Sequence, residues 1–228
     1  TAYRRQRQMC IRDSGKAEGL FTPDYMAFAL VAGLILGVAG ALFRRGSQWA
    51  EKNKPAGNGI LWMMPLAGTL TAVVAIWVPQ VMGNGRATAQ LSFSSNADLA
   101  VIPILLLSFA AKAIVTLLTI RSGASGGVLQ PGIALGASGG AVLGILWMQI
   151  FHTNSIGMYA LLGACALLAA SQQAPLMAIC LVMELADAPI NLFVPIGFAV
   201  AVSAFTASRL SGPLAKLRVA APKASDVH

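Results

Sequence analysis

Charge is what this chain has least of. Only 11% of its 228 residues are charged, against 57% hydrophobic, and the mean hydropathy is +0.71. Soluble globular domains carry roughly 25% charged residues, so this chain has too little polar surface to cover a water-soluble fold. Lipid is left as its solvent. Cysteine and histidine are nearly as scarce, at three and two residues. Cys10 lies in the N-terminal run, Cys165 and Cys180 sit inside apolar segments, and His152 and His228 are far apart. Neither a disulfide framework nor a metal-ligand set follows, and no cofactor motif is present. The N-terminus lacks the apolar core of a signal peptide: residues 1–14 carry four arginines and no hydrophobic run. We set residues 1–19 aside as a non-native or disordered segment. Acidic residues are few, eight against sixteen basic, giving a formal charge of +8. Much of the basic charge lies at the two chain ends and in the run from Arg44 to Lys54, outside the apolar segments. That distribution suits cytoplasmic loops against anionic lipid and argues against a nucleic-acid partner.

What the chain does have is a succession of apolar segments. The first, residues 25–43, carries Gly33, Gly37 and Gly40 on one helical face, where a second helix can approach closely. Arg44, Arg45, Lys52 and Lys54 follow it as a loop. A second segment, residues 60–78, has Trp62 and Trp77 near its ends and is interrupted by Pro65. Polar residues 82–96 read as an external loop or a short re-entrant helix. A helix over residues 98–120 contains Lys112, and a glycine cluster from Ser122 to Gly132 separates it from apolar residues 133–151. The remaining segments are 156–169, 174–185 and 192–210. Twelve helical residues rise only about 18 Å, so 174–185 falls short of a hydrocarbon core of about 30 Å. Short segments meeting inside the bilayer mark channel and transporter folds. The expectation is an all-α, multi-pass membrane protein with broken and re-entrant helices, its membrane domain over residues 20–212 and a short cytoplasmic tail over 213–228.

The glycine cluster is the segment richest in chemistry. In Ser125-Gly126-Gly127-Val128-Leu129-Gln130-Pro131, glycines before a helix leave its first N–H groups accessible. Pro131 is tolerated in a first turn because it removes a donor without a helical partner. A helix starting near Val128 would aim its free amides and positive dipole end into the break, which suits a partly dehydrated anion. The same glycines would also serve close helix packing, and the motif alone does not separate the two readings.

The segment from Lys112 to Gly144 resembles the helix, glycine-rich loop and anion-binding helix of the CLC family of chloride channels and chloride/proton exchangers. The family's G-x-F-x-P signature reads Gly127-Val128-Leu129-Gln130-Pro131 here, with Leu129 in place of phenylalanine. Residues 161–187, with an Ala-Pro-Leu turn and an apolar run ending in Glu184 and Asp187, are similar to the family's later pair of short helices. The resemblance covers nearly everything after Leu20 and implies the second of two inverted-topology halves. It further implies chloride bound by the backbone amides of Val128 and Leu129 and a homodimer interface on the last helices. A multi-pass bacterial-type inner-membrane location belongs to the same picture. The family's gating glutamate and pore serine belong to the first half and have no counterpart here. The late pore tyrosine falls near Ala215, so that hydroxyl is missing.

Other residues have competing readings. Lys112 within an apolar run either faces an aqueous vestibule, drawing anions inward, or snorkels to the interface. Gly123-Ala124-Ser125-Gly126 and Gly136-Ala137-Ser138-Gly139 match the G-x-S-G pattern of rhomboid intramembrane proteases. A serine nucleophile needs a positioned base, and neither His152 nor His228 lies in a later membrane helix, so the expectation is no catalytic residue. A membrane half that only assembles with partners is the other alternative to transport.

Overall fold

The computed structural model describes residues 23–55, 59–78, 99–124, 127–151, 156–186, 188 and 190–219, with backbone alone over 211–219. All of its regular structure is helical. In chain order the α-helices are α1 (Pro23–Lys52), α2 (Gly59–Trp77), α3 (Ile102–Arg121), α4 (Leu129–Phe151), α5 (Ile156–Gln172), α6 (Pro175–Ala186) and α7 (Phe193–Val219). Short 3-10 turns at Leu99–Val101 and Ile190–Leu192 lead into α3 and α7. Five of the described helices are long and apolar enough to cross a bilayer, whereas α5 and α6 are shorter. At twelve residues α6 rises about 18 Å and does not span, as its length dictates.

Three boundaries differ from the sequence reading. Instead of ending at Phe43, α1 continues through Arg44 and Arg45 to Lys52. Arg44, Arg45, Gln48, Ala50, Glu51 and Lys52 in its last turns are good helix formers, and Ala50 is fully buried. Pro65 does not interrupt α2, which runs straight through it. The missing N–H leaves the Leu61 carbonyl without its usual partner, a defect membrane helices accommodate. The backbone of α7 also stays helical past Pro213 to Val219. Residues 82–96 lie outside the described residues, as do residues 1–19.

The core is built around α5. From Tyr159 to Ser171 every residue of this helix is buried, so it is enclosed on all sides. It packs most extensively on α4, then on α1 and α7, with α6 folded back beside it. Lipid tails are as apolar as leucine, so no hydrophobic force drives these helices together and the closeness of their packing has to hold them. Glycine supplies that closeness. A Cβ placed on Gly136 would lie 2.5 Å from the Gly163 carbonyl oxygen, and one on Gly144 would lie 2.5 Å from the Tyr159 Cβ. Gly33 and Gly37 lie against Ala199, Val202, Ser203 and Thr206 of α7, and Gly40 against Leu167 and Ala170 of α5. One buried polar tie supplements them: the Ser203 hydroxyl donates to the Ala166 carbonyl at 2.5 Å, joining α7 to α5.

These contacts also fix direction. Leu36 and Phe109 both lie against Gly139, Gly46 lies against Leu117, and the Arg121 guanidinium sits 5.1 Å from the centre of the Trp49 ring. The offset between α1 and α3 is nearly constant, so the two run parallel. Gly132 meets Leu168 and Ser171 at the level of Gly40, so α4 runs opposite to both.

Candidate anion site at the broken helix

The break between α3 and α4 is closed on one side and open on the other. The Ser122 amide donates to the Leu118 carbonyl at 2.9 Å and the Gly123 amide to that of Ile120 at 3.2 Å. The Ser122 hydroxyl adds a bond to the Thr119 carbonyl at 2.7 Å. Gly123 has φ +94°, the left-handed conformation that ends a helix and that glycine adopts without a Cβ clash. The carbonyls of Leu118, Thr119 and Ile120 therefore have partners, and Arg121 in the final turn offsets the negative end of the helix dipole.

At the start of α4 the opposite holds. Its first intrahelical bond runs from the Gly132 amide to the Val128 carbonyl at 3.0 Å, which makes Val128 the N-cap. The amides of Val128, Leu129 and Gln130 precede that bond, and Pro131 has no amide to leave over. Three adjacent donors and a positive dipole end thus face the break. Gly127 and Leu129 are exposed, while Val128, Gln130 and Pro131 are half-buried. Ser125 and Gly126 lie outside the described residues.

Gly127 differs from the helix-packing glycines. A Cβ built on it meets nothing within 4 Å, and its φ is not in the left-handed region. Packing among the described residues therefore gives no reason for a glycine here. Close packing instead accounts for Gly132, Gly136, Gly140 and Gly144, all on α4 beyond the break. Within the cluster, close packing accounts for Gly132 but not for Gly127.

The depth of the site follows from the same contacts. Leu129 is one turn nearer the break than Gly132, which places it level with about residues 43–46 of α1. Six to nine further residues of α1 extend beyond it to Lys52, about 9–13 Å at 1.5 Å per residue. The amides lie well inside the end of the bundle.

Lys112 does not sit beside them. With Phe109 opposite Gly139, Lys112 is level with about residue 136, two turns farther along α4. Its residue is 4% exposed, on the α3 stripe that also buries Leu105 and Ser108. It lies near the middle of α3, largely covered by the other described residues. The Ser108 hydroxyl, one turn away, is buried without a hydrogen-bond partner among the described residues. Glu184 is exposed on α6. The side chain of Ala215 lies outside the described residues.

Of the two G-x-S-G segments, Ser138 is fully buried in α4 and its hydroxyl donates to the Ala134 carbonyl of its own helix at 2.6 Å. Ser125 and His152 lie outside the described residues. Sequence reasoning missed the Trp49–Arg121 stack, the Arg45 guanidinium donating to the Leu210 carbonyl, and the Ser203–Ala166 bond. Each joins residues far apart in the chain, and no local pattern signals them.

Comparison with known proteins bears on the family and the fold. The family model described as voltage gated chloride channel matches residues 6–208. A curated relative, the H(+)/Cl(-) exchange transporter ClcA of Cronobacter sakazakii, is 33% identical over 167 residues, covering 69% of this chain and 35% of the relative. A slow cyanobacterial Cl-/H+ antiporter superposes with a TM-score of 0.76 at 22% identity, over 90% of this chain and 49% of that one. A CLC-type fluoride/proton antiporter gives 0.62 at 22% identity, over 85% and 45%. The chain thus spans about a third of the length of the curated relative and about half that of each solved antiporter.

Proposed function

The chain belongs to the voltage-gated chloride channel family, and on that premise we propose that it works as one half of a chloride-transporting pore. The anion sits at the amides of Val128 and Leu129, with Gln130 as a third donor and Gly127 and Pro131 shaping the approach. The single observation that carries this reading is the start of α4, where the donors precede the first helical bond and adjoin Gly127, on which a Cβ would meet nothing within 4 Å among the described residues. Dipoles without a full charge give a weak, reversible hold, and throughput needs an anion that can leave. Lys112, buried about two turns away along α4, adds positive charge that biases the site toward anions.

The relative's name and one solved neighbour's title describe chloride/proton exchange, which favours an exchanger over a channel for the complete protein. A multi-pass protein of the bacterial inner membrane fits the same relatives. We further propose homodimerisation through α6 and α7. Leu176 on α6, Ile190 in the turn before α7 and Phe205 on α7 are 74%, 75% and 59% exposed, leaving apolar side chains for a second copy to cover. A nucleophilic role for Ser138 is disfavoured because its hydroxyl donates to the Ala134 carbonyl of its own helix.

The test is to read the native locus upstream of the Leu20 codon and reconstitute the complete reading frame in liposomes. Chloride efflux above that of empty vesicles, with coupled proton movement, supports the proposal. No efflux from a folded, complete protein favours the alternative, a membrane half that assembles without transporting.

A further inference from the structure

The basic residues read in the sequence as loop charge are gathered by the fold onto one surface. Arg45 of α1 donates to the Leu210 carbonyl of α7, and Arg121 at the end of α3 lies over Trp49. The C-terminal parts of α1, α3 and α7 therefore meet at one end of the bundle. Among the described residues this end holds Arg44, Arg45, Lys52, Lys54, Arg121 and Arg209, with Glu51 as its one acidic residue. Glu51 is paired to Lys54 at 3.3 Å.

An exposed apolar side of α1 leads directly to it. Leu30, Leu34, Val38 and Leu42 recur every four residues and are 40–59% exposed. Trp49 continues that stripe at 51% exposure, and the charged residues follow. An apolar stripe that ends in a half-exposed indole and then in cations marks the level of lipid headgroups. The guanidinium of Arg121 stacked on that indole holds positive charge at the same level.

We propose that this three-helix end is a binding surface for anionic phospholipid headgroups of the cytoplasmic leaflet. Phosphate oxygens match the guanidinium and ammonium donors of Arg44, Lys52 and Arg209, and acyl chains lie along the Leu30–Leu42 stripe. The proposal does not depend on anion transport.

The complete protein, delipidated in a neutral detergent, would be titrated with phosphatidylglycerol and with phosphatidylcholine and read by native mass spectrometry. We expect preferential binding of phosphatidylglycerol. Arg44→Gln, Lys52→Gln and Arg209→Gln should each weaken it about fivefold, with phosphatidylcholine unaffected. The single substitutions are read separately, so a misfolded triple variant leaves the test intact. Equal binding of the two lipids, unchanged affinity in all three variants, or displacement by inorganic phosphate at equal concentration would overturn the proposal. So would labelling of an Asn53→Cys variant by an impermeant thiol reagent from outside the cell.

Discussion

At the level of single residues, two kinds of polar group separate site from scaffold. The Val128 amide has no helical partner, so Val128→Pro removes one of the proposed anion donors while leaving the helical ladder of α4 intact. Hydrogen bonds to charged groups contribute about 1.5–3 kcal/mol, so chloride affinity of the complete protein should fall at least tenfold by calorimetry. An unchanged affinity in a folded variant would count against the site. The Ser203 hydroxyl is scaffold. It is buried and bonded across to Ala166, and such bonds within membranes average about 0.6 kcal/mol, rarely above 1.7. Ser203→Ala should therefore cost about that much in an unfolding titration and leave chloride affinity alone.

Among the helices, the governing variable is how closely two of them approach. A methyl on Gly136 would collide with the Gly163 backbone, and backbone does not yield as a flexible side chain does. We expect Gly136→Ala to destabilise the α4–α5 pair by about 1–3 kcal/mol, seen as a lower melting temperature. Gly68→Ala on the exposed α2 meets nothing within 4 Å and should be neutral or slightly stabilising. A comparable loss in both would show that helix propensity, not packing, sets the effect. Much of this level was legible in sequence: segment positions, the short α6 and the helix start at Val128 follow from apolar runs, glycine and proline. Helix ends were less so. Arg44 and Arg45 read as a loop, because charge in a membrane sequence resembles an exit from the bilayer whether or not the helix continues. Pro65 read as an interruption, yet α2 carries the one lost backbone bond and stays helical through it.

At the scale of the whole molecule, sequence patterns reach adjacency only where a family resemblance carries it. That α5 is wrapped by α1, α4, α6 and α7 could not be read from hydropathy, since a lipid-facing helix and a helix enclosed by helices are equally apolar. The difference lies in its neighbours. The basic end shows the same limit: its residues are plain in the sequence, but their meeting depends on α1, α3 and α7 running parallel. The central claim is that a break between antiparallel helices presents three free amides to an anion well inside the bundle. Its most direct measurement is the anomalous scattering of bromide in crystals of the complete protein. We predict a bromide peak within hydrogen-bonding reach of the Val128 and Leu129 amides. Bromide bound elsewhere in the protein, with none at the start of α4, would contradict the account.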